Sequence, residues 1–255
     1  MATGNQHNAY WSPASVLVRK DGRKVVYPHT VTDRGKPGSL VVNRAGRRFT
    51  NEAVSYHRFG EALLAGNGET GNLPAWIVCD GAFMWKYGLG AIIPFTRSLR
   101  PYRDAGYLVS AGTLDGLAAR LGIDAAGFSA TIARFNADAA AGRDSEYGRG
   151  EDVYSRYLGD AEVGPNPCLA PLVQAPFHAI ELVLSDLGTV AGLRVDLECR
   201  VLGAGGEPIP GLYAIGNDMQ SIFRGRYPGP GITLGPALTF GYLAACHMAE
   251  EGSRR

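Results

Sequence analysis

The chain has 255 residues, 45% of them hydrophobic, which is enough to bury a substantial core as one large domain or two interleaved ones. Lysine and arginine total 25 against 24 aspartate and glutamate, and the formal net charge of +1 predicts neither a nucleic-acid face nor attraction to acidic membranes. No apolar run approaches the roughly 20 residues of a membrane span, and the polar start from Met1 to Gln6 has no secretory h-region, so a soluble, cytoplasmic protein is expected.

The densest basic cluster, Arg44, Arg47 and Arg48, reads as a solvated turn in preference to a phosphate site. Cys79, Cys168, Cys199 and Cys246 form no C-x-x-C pair and no metal-type spacing; no metal is expected, and the four read as buried thiols in a reducing compartment.

In chain order, Ser15 to Val18, Lys24 to Tyr27 and Leu40 to Asn43 are short β-branched or apolar runs separated by Asp21-Gly22 and Pro37-Gly38, which predicts hairpin-like strands. Asn51 to Leu64 reads as a helix with Phe59 and Leu63 on one side. Gly66 to Gly71 matches G-x-G-x-x-G, but it follows a helix and leads to Asn72-Leu73-Pro74, the wrong context for a dinucleotide turn, so it reads as an ordinary loop. Trp76 to Cys79 is a buried strand ending at Asp80-Gly81.

Thr113 and Asp124 are placed to cap two helices closed by Gly122 and Gly142, with Leu114, Leu117 and Leu121 on the first and Phe128, Ile132 and Phe135 on the second. Gly142 to Pro167, charged and glycine-rich, reads as a long surface loop. Strands return at His178 to Leu184, Leu193 to Asp196, Arg200 to Gly203 and Leu212 to Ile215, with Gly205-Gly206 and Pro208 to Gly211 as turns. Ile232 to Glu250 is a long helix whose Leu234, Leu238, Tyr242 and Ala245 share an apolar face.

The most informative stretch is residues 225 to 244, a glycine-proline loop running into an apolar helix whose first turn lacks bulk. Such a helix start presents unpaired N–H groups and a positive dipole end. Tyr227 sets a phenol at the loop's mouth, and Gly229 and Gly231 let the backbone approach closely, so the loop suits a planar, partly anionic molecule.

Several segments together resemble the FAD-dependent fumarate reductase and succinate dehydrogenase flavoprotein superfamily, and within it the 3-ketosteroid dehydrogenase branch. They are Val42 to Glu52, Pro176 to Ile180, the G-L-Y-A-x-G string from Gly211 to Asp218, and the Tyr-Pro-Gly-Pro-Gly-x-Thr-Leu-Gly-Pro-Ala string from Tyr227. The last is the specific one; the G-L-Y-A-x-G string alone signals only a flavoprotein. Family members also carry a strand, a G-x-G-x-x-G turn, a helix and an acidic residue for the adenosine ribose, and no such unit precedes Asn5, so the resemblance is to the C-terminal half.

The resemblance implies a mixed α/β fold: part of a glutathione-reductase-like FAD-binding domain with an inserted α+β substrate-capping domain. Residues 1–42 would end the first FAD-domain segment, 43–187 would form the cap, and 188–255 would return to the FAD domain. It places Gly216, Asn217 and Asp218 near the ribityl and phosphate part of FAD, with a plain Asx turn at Asp218 as the alternative. The amides of Thr233, Leu234 and Gly235 would face the flavin pyrimidine edge, where a positive helix end favours the charge of a reduced ring.

For 1,2-desaturation of a 3-ketosteroid, the ketone must be polarised, a proton removed beside it and a hydride passed to the flavin. The resemblance maps the Tyr227 hydroxyl and the Gly231 N–H onto the ketone oxygen, an oxyanion-hole arrangement. Tyr56 is the candidate base, His57 its local rival, and simple packing of Tyr56 on the cap the alternative; a tyrosine starts near pKa 10 and needs tuning that a histidine does not. Fumarate reducers hold a carboxylate with a histidine before T-x-G-G, which the stretch Ser185 to Gly192 lacks, and this speaks against a dicarboxylate. His178 reads as a core-edge residue. Arg226 stands where a smaller residue is expected, which suggests a substrate more polar than a steroid.

Two functions follow as expectations. One is an FAD-dependent dehydrogenase acting on the CH–CH bond of a cyclic ketone or steroid-like substrate, with the rest of the FAD site either supplied by a second subunit or lost with an upstream part of the gene. The other is a non-catalytic fragment that binds a hydrophobic ligand or a partner chain through an exposed apolar edge.

Overall fold

Period-two alternation on strands and capped amphipathic helices account for most of the architecture. The computed structural model describes residues 3–4, 9–65 and 72–253; Gly66 to Gly71, with its G-x-G-x-x-G spacing, lies outside the described residues. In chain order the elements are β1 (Thr3–Gly4), β2 (Ala9–Val18), β3 (Lys24–Pro28), β4 (Ser39–Val42), α1 (Tyr56–Ala65), β5 (Ala75–Cys79), α2 (Gly81–Tyr87), α3 (Arg100–Asp104), β6 (Val109–Ala111), α4 (Leu114–Leu121), α5 (Ala125–Ala141), α6 (Val153–Leu158), β7 (Phe177–Thr189), β8 (Gly192–Leu193), β9 (Arg200–Leu202), β10 (Pro208–Tyr213) and α7 (Leu234–Ser253). The fold is mixed α/β, as expected. Two compact units divide it: Ser12–Ser185, and the residues up to Trp11 together with those from Asp186 onward.

In the larger unit the sheet order is β3-β2-β7-β5-β4, with β6 also pairing to β7. Strand β5 is antiparallel to both neighbours, Ile77 lying opposite Val41 and Ile180. Successive side chains point to opposite faces, so β4 and β5 feed two cores at once. Leu40, Val42, Trp76 and Val78 pack with Leu117, Phe128, Ile132 and Phe135 of α4 and α5. Val41, Ile77 and Cys79 pack with Phe59 and Leu63 of α1 and Phe83 and Met84 of α2.

The caps anticipated for α4 and α5 form. Thr113 Oγ1 accepts from the Gly116 N–H at 3.0 Å and Asp124 Oδ1 from the Ala126 N–H at 3.1 Å, while Gly122 and Gly142 close the helices in the left-handed conformation. Asp80 ends β5 as expected but is also the cap of α2, accepting from the Phe83 N–H at 3.0 Å. Helix α1 starts at Tyr56, later than Asn51, because Asn51 closes a local turn onto the Ala53 N–H instead. The β2–β3 pair is a hairpin; β4 pairs with β5, so Pro37-Gly38 does not turn a second one.

Three expectations are corrected by long-range charge pairing and packing. Arg48 is not solvated: it is 5% exposed and lies between Glu52 and Asp144. The segment from Gly142 to Pro167 is not a surface loop, since it holds α6 and sends Arg149, wholly buried, to the carbonyls of Ser39 at 2.7 Å and Lys36 at 2.6 Å. Cys79, Cys168 and Cys199 are buried as read, but Cys246 is exposed on α7.

In the smaller unit β1 pairs with β8 and β9 with β10. Pro208 to Gly211 is not a turn but the greater part of β10, because Pro208 pairs with Leu202 across the hairpin. The strand expected at Leu193 to Asp196 is shortened to β8. Helix α7 starts at Leu234 and buries Ala244, while Leu234, Leu238 and Tyr242 of the anticipated apolar face are exposed.

Candidate functional site

The loop from Ser221 to Thr233 is wound by its own backbone before it enters α7. The Arg224 N–H donates to the Ser221 carbonyl at 3.2 Å and the Arg226 N–H to the Phe223 carbonyl at 2.9 Å. Tyr227 and Phe223 pack against a buried cluster of Tyr10, Val190 and Ile232. Gly231 has φ 97°, a conformation that disfavours any side chain, and nothing stands within 4 Å of where its Cβ would be. The backbone there is open to close approach.

At the start of α7 the Gly235 N–H donates to the Gly231 carbonyl at 2.8 Å. The amides of Gly231, Thr233 and Leu234 have no acceptor among the described residues. Those amides and the helix dipole make the α7 entrance electropositive. A concavity of about 500 Å³ opens beside it, lined by Phe223, Pro228, Gly231, Ile232, Pro236 and Phe240. Its walls are largely apolar, as a flat aromatic ligand requires.

Gly216, Asn217 and Asp218 form a single 3-10 turn packed on this helix start. Gly216 has φ 57°, and a Cβ on it would stand 3.2 Å from that of Ala237. Asp218 is exposed and its carboxylate accepts no hydrogen bond among the described residues, so the alternative Asx turn is not made. A neighbouring concavity of about 570 Å³ is lined by Arg194 and Arg224, which carry no motif and were not singled out from the sequence.

Of the residues singled out, Tyr227, Gly231, Gly216 to Asp218 and Thr233 to Gly235 are thus brought together in the smaller unit. Tyr56 belongs to the larger unit, as the buried first residue of α1. Its neighbour His57 is also buried, with Nε2 3.4 Å from Glu61 Oε1. His178 pairs with Ser110 at 2.8 Å inside the sheet, and burial, aided by the charge of Arg103, pushes its pKa down to about 4. Such a histidine is neutral and structural, in accord with the core reading.

A dipole-bearing helix entrance, an apolar concavity and glycines that admit a ligand to the backbone together make a site able to take a flat, electron-rich group. The residues present fit the isoalloxazine end of a flavin, because the open amides lie beside an apolar wall.

Comparison with known proteins identifies the group. The FAD binding domain family matches residues 1–234. A 4-oxocyclohex-2-ene-1-carboxylate 5-dehydrogenase of Sinomonas cyclohexanicum is 43% identical, over 96% of this chain and 41% of the relative. A 3-oxosteroid 1-dehydrogenase of Mycobacterium tuberculosis is 40% identical, over 97% of this chain and 44% of the relative. The crystal structure of 3-ketosteroid Δ1-dehydrogenase from Sterolibacterium denitrificans in complex with 1,4-androstadiene-3,17-dione superposes with a TM-score of 0.91 at 38% identity, over 98% of this chain and 44% of that one. This chain belongs to the FAD binding domain family, and its cofactor is FAD. It spans less than half the length of each of these three proteins. Among the described residues, no helix is long and apolar enough to cross a membrane.

Proposed function

We propose that this chain forms part of an FAD-dependent dehydrogenase acting on the CH–CH bond beside the carbonyl of a cyclic ketone. The observation that carries the reading is the loop in which Tyr227 and the open Gly231 amide precede the electropositive start of α7. When bound, FAD supplies the hydride acceptor. Tyr227 and the Gly231 N–H donate to the ketone oxygen and stabilise the negative charge that develops there when the adjacent carbon loses its proton. Tyr56 takes that proton, with His57 as its rival. Gly216, Asn217, Asp218, Thr233, Leu234 and Gly235 hold the cofactor, Gly235 through its Cβ-free surface because its amide is already bonded to Gly231.

In this reading residues 43–187 form the substrate cap, and 1–42 and 188–255 are FAD-domain segments. The substrate is a monocyclic ketone bearing a carboxylate. Arg226, exposed and next to Tyr227, has no ion pair among the described residues, and the Sinomonas relative is named for such a ketone. The protein acts in the cytoplasm. The exposed Leu234, Leu238 and Tyr242 of α7 favour a second reading, contact with a partner chain, which in the dehydrogenase would supply the rest of the FAD site.

The test is anaerobic mixing of the FAD-loaded protein with 4-oxocyclohexanecarboxylate while flavin absorbance is followed. Bleaching is expected, and Tyr227→Phe slows it by roughly 100-fold, as loss of one oxyanion donor does. An unchanged rate in that variant removes Tyr227 from the chemistry. Colourless protein that takes up no FAD leaves the partner-binding reading.

A further inference from the structure

We infer that Tyr10 is a positioning residue that holds the Tyr227 loop at its first residue, Ser221, and at Tyr227 itself. The inference concerns how that loop is held, and its functional meaning rests on the dehydrogenase reading above.

Tyr10 stands at the start of β2 and is 3% exposed, yet nothing in the proposed chemistry uses it. Its hydroxyl lies 2.6 Å from Ser221 Oγ, where the loop begins. Its ring meets that of Tyr227 edge to face, with centroids 5.4 Å apart and planes at 71°, where the loop delivers its phenol. One rigid, buried side chain therefore touches the first residue of the loop and the residue whose position matters.

The loop needs such a clamp. Arg224, midway between these two contacts, has φ 51°, a left-handed conformation that strains a side-chain-bearing residue and persists only when surrounding contacts impose it. Ser221 is the anchor through which the constraint enters. Its amide donates to the Val190 carbonyl at 3.2 Å, its carbonyl accepts from the Arg224 N–H at 3.2 Å, and its Oγ accepts from the Phe223 N–H at 3.2 Å. The Tyr10 hydroxyl completes the bonding of Ser221 and so fixes the rotamer that makes the Phe223 contact. The T-shaped contact between the two rings then limits how far the phenol can swing, and a displacement of about 1 Å is enough to cost about 100-fold in rate at a reacting centre.

Two measurements test this, one of them independent of turnover. In protein labelled with 13Cζ-tyrosine, the Tyr227 resonance is assigned as the one missing in Tyr227→Phe. In Tyr10→Leu this resonance is expected to shift and broaden while those of Tyr87 and Tyr107, in the other unit, stay in place. In the FAD-loaded enzyme the same variant is expected to lower kcat by about 10-fold or more with KM changed less than about threefold, because a misplaced donor weakens the transition state more than binding. Tyr10→Phe breaks the bond to Ser221, and Ser221→Ala breaks it together with the bond from the Phe223 N–H, so each lowers kcat by a few fold and the double variant is no worse than Ser221→Ala alone.

A Tyr227 resonance unmoved in Tyr10→Leu, or additive losses in the double variant, overturns the inference. Should Tyr10→Leu fail to fold, the Tyr10→Phe and Ser221→Ala cycle decides alone. Absence of ketone-dependent flavin bleaching by the wild type, with the Tyr227 resonance still moving in Tyr10→Leu, overturns the dehydrogenase reading and leaves the clamp standing.

Discussion

Arg48 and Asp144 form a two-pronged pair in the core of the larger unit: Nη1 donates to Oδ1 and Nη2 to Oδ2, both at 2.8 Å. On its other side Arg48 donates to Glu52 through Nε at 2.8 Å and Nη2 at 2.7 Å, and its guanidinium stacks on the rings of Phe135 and Tyr147. Arg149 reaches the same Glu52 at 3.3 Å. Two arginines thus share two carboxylates out of water and tie the segment after α5 to the turn before α1.

Removing one partner of a buried pair leaves the other charged and uncompensated. Asp144→Ala is expected to destabilise the fold by about 3–5 kcal/mol. Urea unfolding monitored by circular dichroism checks it, and a loss below about 1 kcal/mol would place the pair among the weak surface type.

Acid sensitivity follows in two windows. His178, held near 4 by burial and by Arg103, is neutral in the fold, while the unfolded chain takes up a proton near 6.5. The unfolded state binds more protons between these values, so stability falls as pH drops from about 6.5 to 4. His178→Gln is expected to flatten that part of the stability–pH curve.

The second window lies lower. Burial opposes ionisation of Glu52, Asp144 and Asp33, but Arg48 and Arg149 at Glu52, Arg48 at Asp144, and His29 with Arg34 at Asp33 more than offset it and hold all three below the usual carboxylate range. Their contribution is complete above the unfolded value of about 4 and is lost as pH falls below it. Glu52→Gln should show a lower plateau at pH 7 and a shallower loss below pH 4; an acid limb as steep as the wild type's would contradict the assignment.

The caps give a smaller, local effect. Thr113→Ala and Asp124→Ala are each expected to lower stability by about 1 kcal/mol with an unchanged urea dependence, since each removes one side-chain acceptor at a helix start. The two sites share no partner, so the losses should add.

At the proposed substrate site, Arg226→Ala is expected to lower kcat/KM for 4-oxocyclohexanecarboxylate by about 10-fold while sparing 4-methylcyclohexanone, the scale of one charge-assisted hydrogen bond. Equal losses on both ketones would show that Arg226 does not read the carboxylate.

Local signals in the sequence were decisive wherever a side chain acts on its own backbone neighbours. The caps at Thr113 and Asp124, the closing glycines at 122 and 142, and the buried β5 strand required nothing but adjacent residues. The glycine-proline run before α7 likewise announced an open, dipole-bearing helix entrance. Its tyrosine-containing string carried the resemblance to flavoproteins that the family match bears out.

Charges resisted this kind of reading. A cluster such as Arg44, Arg47 and Arg48 is by itself indistinguishable from a solvated turn, because what buries Arg48 is Asp144, supplied from beyond α5. The segment holding Arg149 misled for the same reason, since its composition is that of a loop and its anchor points are carbonyls far upstream.

By itself, then, the sequence determined the ends of α4 and α5, the buried β5 strand and the chemical character of the α7 entrance, all set by interactions within a few residues. Only the tertiary structure decided which charges are buried, which face of α7 is left exposed and that Tyr10 is the residue against Tyr227. Those depend on partners brought together from distant parts of the chain, and a linear pattern carries no record of them.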